Sequence, residues 1–223
     1  MAHLPTISID VLPMQDEAVS WHPELHQNYD TGVGAAAERC LEILRTSGSD
    51  FRKAFVADPR DVHRQLFCMV APPNQPEYAG SYRGTPGTSL EGRPVTLVSQ
   101  IGQEPQLLQI PALVMGDMTG FYNRWVNEYF RDVASLNRTD VIRRVSKIFY
   151  AFGRIHPFLD GNGHVQRLIF AACMFERADM QLLPSWTIHP RPYDIEFARA
   201  LEGRTAAESL VLLQPLLSAY IAQ

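Results

Sequence analysis

His156-Pro157-Phe158-Leu159-Asp160-Gly161-Asn162-Gly163-His164-Val165-Gln166-Arg167 is the stretch on which the reading of this chain turns. Before it, Val141, Val145, Ile148 and Phe152 recur at helical spacing behind Asn137-Arg138-Thr139-Asp140, so a helix is expected to Ile155. It must stop before Pro157, because the residue preceding a proline is pushed out of the helical region. After it, Leu168, Ile169, Ala172 and Phe175 mark a second helix over Val165 to Arg177. Between the two, Gly161-Asn162-Gly163 lets the backbone take positive φ and approach a ligand, since glycine has no Cβ and asparagine tolerates the left-handed region. Successive N–H groups there form a nest for an anion, and the positive end of the next helix adds to it.

The side chains around that nest are chemically assorted. Asp160, one residue before it, is placed where a carboxylate holds Mg²⁺ bridging phosphate oxygens. His156 offers an imidazole that takes a proton near neutral pH. His164 and Arg167 are three apart in the first turn of the second helix, so both are expected to project toward the phosphate, Arg167 as its permanent cation. A Gly-Asn-Gly turn by itself is often only a turn, and a His-Pro pair only a helix end. Base, carboxylate, nest and cation in one stretch are expected to make the active site, holding a nucleotide phosphate and a divalent metal.

Outward from this loop the chain reads as mostly α, one domain with a small β-hairpin. Residues 1–30, with Pro5, Pro13 and Pro23 and no clear period, are expected to be an arm on the surface, and 31–223 the catalytic domain. Leu41, Ile43 and Leu44 mark one helix, about 50–57 a second, and Val62, Leu66, Met69 and Val70 the apolar face of a third from Asp61. The Pro- and Gly-rich run from Ala71 to Gly92 excludes helix. Within and after it, Pro94 to Ser99 and Gln106 to Ile110 are strand-like and joined by Gly102-Gln103-Glu104-Pro105, a hairpin over about 95–110. Pro111 opens a helix to about Asp132 with Leu113, Met118, Phe121, Trp125 and Tyr129 on its apolar side. Two more helices are expected over about 192–202 and 206–221.

Composition sets the class. The net charge of −4 provides no global basic field, so neither nucleic acid nor an anionic membrane is an expected partner. Cys40, Cys68 and Cys173 are odd in number and widely spaced, and are expected as buried thiols of a reducing compartment. Met1 to Pro5 shows no basic region followed by an apolar core, and no apolar run reaches membrane-spanning length. A soluble, cytoplasmic protein is the expectation; the sequence does not decide whether it is exported into a host.

The stretch 156–167 resembles the Fic signature, H-P-F-x-[D/E]-G-N-G-R-x-x-R, at every specified position but one. Ala79-Gly80-Ser81-Tyr82-Arg83 and the hairpin after it resemble the family's upstream segment and flap. Asn123-Arg124-Trp125-Val126-Asn127 resembles the helix beyond the flap, and Tyr193 to Leu217 the closing helices. The resemblance implies a Fic-like helical bundle that transfers AMP from ATP, with Mg²⁺, to a Ser, Thr or Tyr hydroxyl of a target protein. On that pattern His156 is the catalytic base and Asp160 the metal ligand. Gly161, Asn162, Gly163, His164 and Arg167 bind the nucleotide's phosphates, Pro157 and Phe158 shape and anchor the loop, and the target docks on the flap.

The departure is His164, where the signature has arginine. It leaves open weak protonated service, a different donor, a weakened nucleotide-binding module, or related chemistry such as de-AMPylation or phospho-group transfer. Gly161 and Gly163 favour nucleotidyl transfer, since the phosphate-transferring branch has Lys in the nest and the phosphocholine branch Ala for the first Gly. The family's inhibitory motif, [S/T]-x-x-x-E-[G/N], has no full match: Ala198 to Gly203 lacks the hydroxyl and Ser20 to Leu25 lacks the final residue. Glu202 is therefore expected as an exposed helix-end residue, and a separate antitoxin-like partner is a candidate for control.

Overall fold

The computed structural model describes residues 21–97, 106–191, 194–202 and 205–222. Its helices are α1 (Gly34–Thr46), α2 (Ser49–Ala57), α3 (Arg60–Phe67), α4 (Pro111–Phe121), α5 (Asn127–Asp132), α6 (Arg138–Ile155), α7 (Asn162–Met174), α8 (Asp194–Leu201) and α9 (Ala206–Ser218). Helix α7 lies at the centre, with Val165 and Leu168 through Met174 all at most 1 % exposed. A helix buried all round is what its sequence, apolar on every face after Arg167, requires. Helices α1, α2 and α6 pack against it, and α9 and α8 pack on α6. Where α6 passes α7 the backbones come close: a Cβ on Gly153 would stand 2.6 Å from Gln166 Nε2. The same Nε2 donates to the Phe149 carbonyl at 2.7 Å.

Helix α6 begins where the sequence predicts. Asn137 caps it, its side chain accepting from the Asp140 N–H at 2.9 Å. It ends at His156, whose backbone is left-handed (φ 50°, ψ 62°), the turn that reverses the chain into the loop. Helix α7 starts at Asn162, so the glycine nest is its first turn.

Other expectations are corrected. The helix expected from Pro111 to Asp132 is interrupted by a π-helical turn, Tyr122–Val126, which shifts the apolar register and leaves Leu113 half exposed. Ile43 and Met69 also face outward, and Cys68 is exposed while Cys40 and Cys173 are buried. The expected surface arm, described from Trp21 on, carries core: Trp21 packs edge-on against His63 and Phe67 and donates from Nε1 to the Val70 carbonyl at 3.0 Å. A second π turn, Tyr29–Val33, runs directly into α1. Of the expected hairpin, two short strands, β1 (Thr96–Leu97) and β2 (Gln106–Leu107), pair antiparallel, and Leu108 N–H donates to Val95 O at 3.0 Å. Its tip, 98–105, lies outside the described residues. Among the described residues no helix is long and apolar enough to cross a membrane.

Candidate active site

The loop between α6 and α7 is held shut by its own residues. Asn162 turns its side chain back on Phe158, Oδ1 accepting from Phe158 N–H and Nδ2 donating to Phe158 O, both at 2.9 Å. Two such buried bonds contribute about 1 kcal/mol each and fix the loop's width. Asn162 therefore faces the loop, and what it offers an anion is its backbone N–H. Phe158 is wholly buried and stacks on His63, centroids 3.9 Å apart and planes at 6°. Gly161 takes φ 74°, and a Cβ there would overlap the Phe67 ring and stand 3.0 Å from His63 Nε2, so only glycine fits. Pro157 is buried and its carbonyl accepts from Arg83 N–H at 2.8 Å.

Two residues outside the stretch complete the support, and sequence reasoning gave neither a role. His63 of α3 donates from Nε2 to the Asp160 carbonyl at 2.9 Å, while its Nδ1 accepts the Gly80 N–H at 2.9 Å. Both ring nitrogens are thereby committed to one neutral tautomer, and burial depresses its pKa to about 3. Arg83, also wholly buried, donates to the His156 carbonyl from Nε (2.9 Å) and Nη2 (2.8 Å), to Ile155 O (3.1 Å) and to Gln109 O (3.0 Å). It is a cation set on the carbonyl end of α6, where the helix dipole favours one, and it ties that end to the base of the strand pair. The signal for His63 was its lone place on an otherwise apolar helix face.

The reactive groups lie over this frame. His156 is partly exposed and its pKa is depressed to about 4, first by desolvation and then by the charge of Arg83; a hydrogen bond to the Gly153 backbone opposes this. It stands neutral, able to accept a proton. Asp160 Oδ1 accepts from Gly161 N–H, and burial raises the carboxyl's pKa, reinforced by Glu24 and opposed by that bond and by Arg191. A carboxylate so placed is short of positive charge, which a hard divalent cation supplies. Among the described residues no cluster of three or more His, Cys, Asp or Glu side chains is arranged to hold a metal alone. Asp160 thus fits a cation shared with phosphate oxygens, the usual mode for Mg²⁺.

The two basic residues expected to face the phosphate are both buried. His164 is 1 % exposed, ringed by Tyr29, Phe67 and His189. Its Nε2 is 3.1 Å from His189 Nδ1, and His189 Nε2 is 3.3 Å from Asp30 Oδ1. Burial, then Arg191 and His189, hold its pKa well below the usual value. Its surroundings thus favour the neutral ring over a protonated stand-in for arginine. Arg167 is 2 % exposed, its guanidinium against the Trp186 and Phe197 rings, 5.1 Å from each centroid. Glu202, expected to be exposed, is 2 % exposed at the end of the same α8 that carries Phe197.

The Fic/DOC family model matches residues 16–174, most of the chain. The chain belongs to the Fic/DOC family. Members of this family commonly transfer AMP. No curated protein matches it in sequence. Among solved structures it is similar to a Fic-domain signalling protein of Bacteroides thetaiotaomicron, 17% identical over 86% of this chain and 68% of that one, TM-score 0.60. It is similar too to the N-terminal Fic domain of a Bartonella effector protein from Bartonella sp. AR 15-3 (18%, 87% and 82%, 0.60). A third is BepC of Bartonella tribocorum, solved with bound AMPPNP (16%, 85% and 84%, 0.58). At these identities the similarity establishes the Fic fold.

Proposed function

We propose that this Fic protein transfers the nucleoside monophosphate of a nucleoside triphosphate, AMP from ATP by the family's habit, to a hydroxyl of a target protein. The observation that carries this is the neutral His156 at the rim of a glycine nest that opens α7, with the Asp160 carboxylate in the same loop. The imidazole accepts the proton of the target hydroxyl as its oxygen bonds to the α-phosphorus, and pyrophosphate departs. The backbone N–H groups of Asn162 and Gly163, at the positive end of α7, face charge on the α-phosphate. Asp160 would hold Mg²⁺, which neutralises phosphate charge when bound. The target's backbone would lie along the β1–β2 pair by strand addition, its hydroxyl presented to His156. That BepC, of the same fold, was solved with bound AMPPNP supports a nucleotide as the ligand here.

The test is incubation of the purified chain with labelled ATP, Mg²⁺ and lysate, read by label on protein. Wild type is expected to label and His156→Ala to lose labelling while still binding nucleotide. Full turnover by His156→Ala would remove the base assignment; no labelling by wild type with any nucleoside triphosphate would sink the transfer reading. A second reading, a nucleotide-binding module without turnover, is favoured by the burial of His164. Binding in a calorimeter with no product at any enzyme concentration would select it.

A further inference from the structure

The site as built has a gap in its charge. The signature puts a cation where His164 stands, and His164 is buried, favoured as the neutral ring and engaged with His189. Its Nδ1 is buried with no hydrogen-bond partner among the described residues, so an imidazolium there would bury an unpaired N–H at high cost. Arg167 lies beneath two aromatic rings. Both are buried among rings.

A cation from outside the signature lies by Gly163. Arg191 comes from the segment between α7 and α8, far from the signature in sequence, and it is exposed. Its guanidinium lies directly over the nest: a Cβ on Gly163 would collide with Nη1 and stand 3.5 Å from Cδ and Cζ. Its charge acts on His156, Asp160, His164 and Tyr29, four groups that surround the loop. Pro190 and Pro192 flank it in the sequence, which restricts the backbone that presents it.

We propose that Arg191 supplies the phosphate-binding cation that the signature places at His164, holding the polyphosphate chain of a nucleotide between its guanidinium and the first turn of α7. This rests on the nucleotide reading above. A planar guanidinium grips two phosphate oxygens at once, which a histidine cannot do. Placing the cation on a separate segment frees the α7 position for a small ring, and His164 there packs with Phe67 and Tyr29.

Calorimetric titration of the full chain with two probes tests this: the non-hydrolysable ATP analogue AMPPNP with Mg²⁺, and inorganic tripolyphosphate. Arg191→Ala is expected to weaken both by about tenfold or more, and Arg191→Lys, charged but without the fork, by less. Arg45→Ala, remote from the loop, should change neither. Arg191 is exposed, so its variants should keep the wild-type melting temperature, and that measurement guards against misfolding. Equal affinities for wild type and Arg191→Ala would overturn the proposal and leave the nucleotide reading standing. Arg191-dependent binding of tripolyphosphate without binding of AMPPNP would sink the nucleotide reading and keep the cation. No binding of either probe by wild type would overturn both.

Discussion

A histidine that acts as a base must be neutral when its substrate arrives, and the charge that acts most on His156 is that of a buried arginine. Desolvation and Arg83 together hold the ring near 4. The acid limb of kcat/KM for the transfer reaction is therefore expected near pH 4 and not near 6.5, since that limb reports the free enzyme's base. A rate profile with an ionisation at the ordinary histidine value would show that the ring is more hydrated in solution than burial implies. Gly161 supports the same loop in a way that permits no side chain. Gly161→Ala must hold a left-handed backbone and displace Phe67, and is expected to cost about 2 kcal/mol or more, read as a lower midpoint in urea. The loop itself was legible because its residue types and spacing are local, whereas the burial of His164 and Arg167 depends on rings brought up by folding. His63, Arg83 and Arg191 were not legible, because each meets the loop only after folding, from 97, 73 and 28 residues away.

Helices α6 and α7 were readable for a physical reason: one carries a sharp apolar face and a cap, the other an unbroken apolar run, and proline and glycine punctuate the gap. The segments that misled were those whose period slips. The π turn at Tyr122–Val126 rotates α5 relative to α4, so a face counted from Leu113 cannot also hold Tyr129. Trp21 escaped because one aromatic residue in an aperiodic arm gives no pattern. Between elements, Arg83 makes the bond that matters most. It joins the end of α6 to Gln109 beside β2, so the strand pair and His156 share one anchor. Arg83→Met, similar in volume but without donors, leaves those buried carbonyls unmatched and is expected to lose about 3 kcal/mol or more of stability. Where the variant remains folded, the His156 limb should move up toward 6.5, because a lowering charge has gone. Lost stability with an unmoved limb would make Arg83 a scaffold residue alone.

At the scale of the whole molecule these buried imidazoles act together. His63 and His164 are each at most 1 % exposed, His63 has a folded pKa of about 3, and that of His164 lies well below 6.5. A folded pKa below the unfolded value means that the unfolded chain binds the extra proton. The stability that each ring contributes is complete above pH 6.5 and lost as pH falls toward the folded pKa. Fully buried His63 gives a slope of about 1.4 kcal/mol per pH unit between roughly pH 6 and 4, His164 adds to it in the same sense, and partly exposed His156 adds less. Asp160 works in the opposite sense: its pKa is raised, so the folded state takes its proton first and gains relative stability as the pH falls toward 4. That single carboxyl offsets only part of two imidazoles. Urea unfolding measured from pH 7.5 to 4.5 is thus expected to show a steep decline that begins before most carboxylates titrate. His63→Gln, which keeps a donor toward Asp160 O and does not ionise, should flatten it by about 1.4 kcal/mol per pH unit, whatever its effect on stability at pH 7. An unchanged slope in that variant would mean that the loop opens to water on a local scale and takes up its protons without unfolding the rest.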